Sequence, residues 1–253
     1  MTSTTSTPVR IARDEAKRIA LEEFRRYAAL NASLSPAEWS APTDCSLWDV
    51  RKMSLHVLGA ADAQASVREF IHQFAKGYRL RTEIPDSHHF VDGINELQIR
   101  EREHLTDAEL VAQLETVGPK AVRGRWGAPA PMRYLPISFP APVGWKPLKY
   151  LLDVGFTRDV FAHRIDIAKA VGRELALTPD HDGRLVADMV AEWGDLHDLS
   201  YELTLTGPAG GTFVRGAGRA DRPRVELDAI DYVRVVSGRL PDHGIVKSNS
   251  LPL

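Results

Sequence analysis

The stretch Asp159-Val160-Phe161-Ala162-His163-Arg164-Ile165-Asp166 places a carboxylate and an imidazole four residues apart. On a helix that spacing puts both side chains on one face, about one turn apart. A carboxylate oxygen and a ring nitrogen so placed can bind one divalent metal such as zinc. Asp166, a further turn along the same face, can orient a ligand from behind. An Asp–His pair at this spacing also occurs as an ordinary ion pair on solvated helices. Here Phe156, Val160, Ile165 and Ile167 make the helix largely apolar, and unmatched polar groups are costly in such surroundings. His56 is the second candidate. It sits inside an apolar helix with Met53, Gly59 and Ala60 one turn away, either as a ligand or as a hydrogen-bonded core residue. Three protein ligands with an open fourth position describe a catalytic rather than a structural zinc site.

The elements that must carry these residues read as follows. A polar tail to about Val9 precedes a helical pattern from there to about Leu30. Ser35-Pro36-Ala37-Glu38 is a capping box followed by a short helical turn. Ser46 to Asp49 starts a long helix that the apolar spacing carries to about Tyr78. A loop with Pro85, His88 and His89 leads to a helix over about Val91 to His104. Thr106 caps another that ends near Gly118-Pro119. Residues 126–147 hold six prolines without a period, and a final helix of this half runs from Pro147 to Val171, with Gly172 as its cap. Beyond it come a helix from Thr178 to Leu199, strands at 201–206, 212–216 and 224–227, and a helix at 229–237. The division is therefore a tail (1–9), an all-α domain (10–175) and a small, more acidic α+β domain (176–253).

Composition narrows the function classes. Lys and Arg total 32 against 34 Asp and Glu, a net charge of −2, which leaves no electrostatic footprint for nucleic acid or an anionic membrane surface. The single cysteine, Cys45, excludes a disulfide framework and any cysteine-cluster metal site, and reads as a small buried turn residue. MTSTTST at the start lacks the plan of a signal peptide, and no apolar run is long enough to span a bilayer. A soluble cytoplasmic protein is expected. Of the nine histidines, only His56 and His163 have a spacing or setting that recruits them to a site.

Thr43-Asp44-Cys45-Ser46-Leu47-Trp48-Asp49-Val50, followed by His56, resembles the start of the second helix in mycothiol-dependent maleylpyruvate isomerases. Asp159-Val160-Phe161-Ala162-His163-Arg164-Ile165-Asp166-Ile167-Ala168 resembles the motif on that family's last bundle helix, where the acidic position is often Glu. The resemblance implies a DinB-like four-helix bundle with a sterol-carrier-like α+β domain after it. It also implies that His56, Asp159 and His163 ligate zinc or another divalent metal. The cosubstrate it implies is mycothiol, a low-molecular-weight thiol whose metal-bound sulfur is deprotonated without any protein cysteine. In the isomerase the thiolate adds to an activated cis double bond, a single bond rotates, and elimination gives the trans isomer. In the related S-transferases the adduct is released. Arg234 and Arg239 resemble an arginine-bearing helix near the family's C-terminus, and Arg234 is the better candidate for a substrate carboxylate, with a surface ion pair as the alternative.

Asn95, Glu96 and Gln98 face either the metal cavity or solvent, and Gly207-Pro208-Ala209-Gly210-Gly211 reads as a hairpin turn rather than a phosphate cradle. The leading expectation is a zinc-dependent isomerase or S-transferase acting on a small, carboxylated electrophile. Two others stay open: a hydrolase using zinc-bound water, and a non-catalytic carrier of an apolar small molecule.

Overall fold

A computed structural model of the chain describes residues 5–84, 90–139, 143–216 and 221–251; the expected loop at Pro85, His88 and His89 lies outside them. The first elements are β1 (Thr5–Ser6), α1 (Arg13–Ala32), α2 (Val50–Ala65), α3 (Val67–Leu80), α4 (Phe90–Arg100) and α5 (Asp107–Gly127). There follow α6 (Ala130–Arg133), β2 (Pro136–Ser138), β3 (Trp145–Pro147), α7 (Phe156–Ala170) and α8 (Arg184–His197). The chain closes with β4 (Tyr201–Thr206), β5 (Gly211–Arg215), β6 (Arg224–Asp228) and α9 (Ala229–Val236). Helices thus dominate the N-terminal part, and the C-terminal part is α+β. No helix among the described residues is long and apolar enough to cross a membrane.

Packing divides the chain into two units that do not follow chain order. A helical unit comprises Ala20–Met132 and Asp166–Arg173; a mixed unit comprises Met1–Ile19, Arg133–Ile165 and Glu174–Leu253.

In the helical unit, α2 starts where the Asp49 carboxylate accepts the Lys52 N–H at 2.7 Å. The apolar spacing predicts one helix on to Tyr78, but the chain breaks at Ser66, whose backbone is extended (φ −141°, ψ 118°). The Ser66 hydroxyl accepts the Glu69 N–H at 3.3 Å and starts α3. Ser66-x-x-Glu69 is itself a capping pattern hidden inside the apolar run. The Thr106–Glu109 capping box is formed as expected, with the Thr106 N–H donating to Glu109 at 2.8 Å. The helix it starts does not end at Gly118-Pro119 but runs on to Gly127. Proline inside a helix usually costs about 3 kcal/mol. Burial of Leu114, Val117, Ala121 and Val122 on either side of Pro119 offsets that cost.

In the mixed unit, the sheet order is β1-β5-β4-β6, with β4 antiparallel to β5 and parallel to β6. Tyr201, Leu203 and Leu205 alternate into the core, where they meet Phe161 and Ile165 of α7, Trp193 of α8, and Tyr232 and Val236 of α9. The proline-rich segment holds a hairpin in which Ile137 pairs with Lys146. Pro147 ends β3 rather than opening a helix, and a π-helical turn at Leu151–Gly155 leads into α7 instead. That helix closes as expected at Gly172, whose φ of +66° suits glycine, with the Arg173 N–H reaching back to the Ala168 carbonyl at 2.8 Å.

Arg158 in this unit is fully enclosed. Arg158 donates to Asp188 and to Glu192, each at 2.5 Å, and Arg10 adds contacts to the same carboxylates at 3.2 and 3.0 Å. Burial alone would raise the Asp188 pKa, but Arg158 and Arg10 outweigh it and hold the carboxyl below its ordinary value. A carboxyl depressed in this way contributes stability that is complete above about pH 4 and is lost as pH falls through its folded pKa. Arg158→Met therefore loses about 3–5 kcal/mol in urea unfolding at pH 7, because two buried carboxylates lose their main partner. The gap to the wild type narrows below about pH 4; a loss under about 1 kcal/mol at pH 7 would contradict the assignment.

Candidate metal centre

Helix α7 is held in one rotation by its arginines. Arg158 is fixed as above, and Arg164 donates to Asp182 at 2.5 Å, while the other Asp182 oxygen accepts the Thr178 N–H at 2.7 Å. Phe161 and Ile165 fill the core between them. At 3.6 residues per turn, Asp159 and His163 then share the opposite side of the helix, roughly 40° apart. His163 is buried, and Asp159 keeps 29% of its side chain exposed.

His163 Nε2 stands 3.4 Å from Asp159 Oδ1. That exceeds the usual range of a hydrogen bond, about 2.7–3.2 Å. It equals the edge of a zinc tetrahedron: two donors each about 2.1 Å from the ion lie ~3.4 Å apart. The donors are nitrogen and oxygen, which suit zinc.

His56, in the helical unit, is buried on α2. Its Nδ1 lies 2.8 Å from Gln98 Oε1, and the Trp48 ring covers it with centroids 4.8 Å apart at a 34° tilt. Trp48 is placed by the turn before α2, where the Thr43 hydroxyl donates to the Trp48 carbonyl at 2.8 Å and accepts the Cys45 N–H at 3.2 Å. Cys45 belongs to that turn and is half-buried, not fully buried as its small size suggests.

The remaining sequence candidates separate. Gln98 faces inward to His56, whereas Glu96 faces outward and pairs with Arg100 at 2.6 Å. Asp166 is buried on α7 in the helical unit. Arg234 lies on α9, mostly buried, with Nη1 3.4 Å from Asp231; Arg239 reaches the Ser237 carbonyl at 3.5 Å. Glu69, His72 and Glu101 form another group of donors within the helical unit, but Arg102 and Lys76 already engage its carboxylates at 3.4 Å each. Sequence reasoning missed Gln73, which donates to the Gly59 carbonyl at 2.9 Å; nothing local marks a glutamine as an internal partner. It also missed Tyr150, whose phenol burial pushes well above its ordinary pKa.

Comparison with known proteins places the chain in a family. A model of the mycothiol maleylpyruvate isomerase N-terminal domain matches residues 20–168, more than half of the chain. A crystal structure of the mycothiol-dependent maleylpyruvate isomerase is similar with a TM-score of 0.54 at 16% identity, covering 92% of both chains. The structure of a histidine-to-alanine mutant of that enzyme gives 0.55 at 15%, again over 92% of both chains. No curated protein matches the chain. At such identities the solved structures carry the fold, and the match over residues 20–168 carries the kinship. The chain belongs to the mycothiol-dependent maleylpyruvate isomerase family, and it is an enzyme of that family.

Proposed function

We propose that this protein isomerises, or conjugates to sulfur, a small carboxylated electrophile, using mycothiol as cosubstrate and a divalent metal held by His56, Asp159 and His163. The observation that carries the reading is the 3.4 Å separation of Asp159 Oδ1 and His163 Nε2 on a helix otherwise committed to core and ion pairs. Family membership supports the thiol dependence, and the nitrogen and oxygen donors suit zinc. Residues 10–175 are assigned the metal chemistry, and 176–253 the sterol-carrier-like part.

When bound, the metal supplies a thiolate at neutral pH, so no protein nucleophile is needed. The chain's own residues hold and orient. Asp159 and His163 offer their donor atoms from a helix whose rotation Arg158 and Arg164 fix. Trp48 covers one side of the His56 ring, which limits the directions its nitrogens can take. Arg234 is assigned the substrate carboxylate, which its planar fork can grip through two hydrogen bonds.

Metal analysis tests the ligand set. Wild type carries about one zinc per chain, and His163→Ala retains less than a tenth of it; equal metal in both proteins would end the assignment. Cys45→Ser keeps mycothiol-dependent turnover within about twofold, since the reacting sulfur belongs to the cosubstrate. Loss of turnover in a folded Cys45→Ser protein would move the chemistry onto the chain. Arg234→Ala raises the substrate KM by about tenfold or more, the cost of one charge-assisted contact, with metal content unchanged. An unaltered KM would return Arg234 to an ion pair with Asp231.

A further inference from the structure

A continuous hydrogen-bonded line leaves the buried side of His56. His56 Nδ1 lies 2.8 Å from Gln98 Oε1. Gln98 Nε2 donates to Gln73 Oε1 at 2.8 Å. Gln73 Nε2 in turn donates to the Gly59 carbonyl at 2.9 Å and to Glu69 Oε1 at 2.8 Å. His56, Gln98 and Gln73 are all buried, and all belong to the helical unit.

The direction of every proton in this line follows from its far end. A backbone carbonyl and a carboxylate only accept, so the Gln73 atom between them is the amide nitrogen. The opposite atom of Gln73 is then oxygen, which requires the Gln98 nitrogen to face it. Gln98 therefore presents its oxygen to the imidazole, and an amide oxygen only accepts. His56 Nδ1 must carry the hydrogen, and the ring's lone pair falls on Nε2.

We propose that Gln98 and Gln73 are positioning residues that fix His56 in the Nδ1–H tautomer, so that Nε2 is the atom offered to the metal. This rests on the reading of His56 as a ligand, but the tautomer does not. Neutral amides suit the task, because they hold the ring without adding a buried charge beside it. The fold also makes room for them. A Cβ on Gly59 would lie 2.6 Å from Gln98 Cβ and 2.8 Å from its Cγ, so only glycine lets α4 bring Gln98 this close to α2. Arg102 anchors the same stretch, bonding Asp62 on α2 at 2.9 and 3.1 Å and the Gln98 carbonyl at 3.2 Å.

The test is histidine ¹⁵N NMR on the metal-free full-length protein, with the His56 resonance identified by its loss in His56→Ala. The Nδ1–H pattern is expected in wild type, and an Nε2–H ring would overturn the proposal whatever the metal does. Zinc affinity, measured by chelator competition, gives the second readout. Gln98→Met keeps the volume but removes the amide, and it weakens zinc about 10–100-fold. Equal zinc affinity in wild type and a folded Gln98→Met protein would also overturn it. Should Gln98→Met not fold, the wild-type tautomer decides alone. An Nδ1–H ring in a protein that takes no zinc would count against the ligand assignment and for the relay.

Discussion

Helix α7 is enclosed along most of its length while carrying five ionisable side chains between residues 158 and 166. Buried charges must be matched, and the structure depends on how that requirement is met. Arg158 and Arg164 are neutralised by carboxylates from the chain after residue 174, which sets the helix rotation from both ends. Asp159 and His163 lie on the opposite side, at a separation that suits two ligands of one ion. The charge pattern that stabilises the helix thus also aims its donors.

The same economy holds on α2. A histidine in an apolar helix is costly unless its ring N–H is paired, and His56 Nδ1 has Gln98 while the Trp48 ring covers its face. The Thr43 turn sets Trp48, and the Gly59 gap admits Gln98. Rigid support of this kind matters for a ligand, because metal affinity depends on presenting the donor atom in one orientation.

Local features were legible in the sequence, and non-local ones were not. The Asp159–His163 spacing, the Thr106 cap, the Gly172 terminus and the alternation of Tyr201 to Thr206 all express periods within one element. The break at Ser66 was hidden because apolar spacing continues across it, and a cap is visible only when the run is searched for one. Helix α5 passes Pro119 because burial on both sides outweighs one lost hydrogen bond. The hairpin within residues 136–147 lacks any alternating pattern. Nothing near Arg158 in the sequence marks its partners, since Asp188 and Glu192 lie some 30 residues away. The Gln98–Gln73 line joins three helices, and no single segment announces it. Family resemblance supplied the proposal that His56 acts with the α7 pair, which spacing alone left open. The match over residues 20–168 bears out the kinship, and the shared fold does not by itself fix the reaction.

Anomalous diffraction at the zinc edge from crystals of the zinc-loaded protein tests the central claim most directly. The account predicts one peak about 2.0–2.2 Å from His56 Nε2, an Asp159 carboxylate oxygen and His163 Nε2. A peak coordinated by other residues, or no peak after loading, would contradict it.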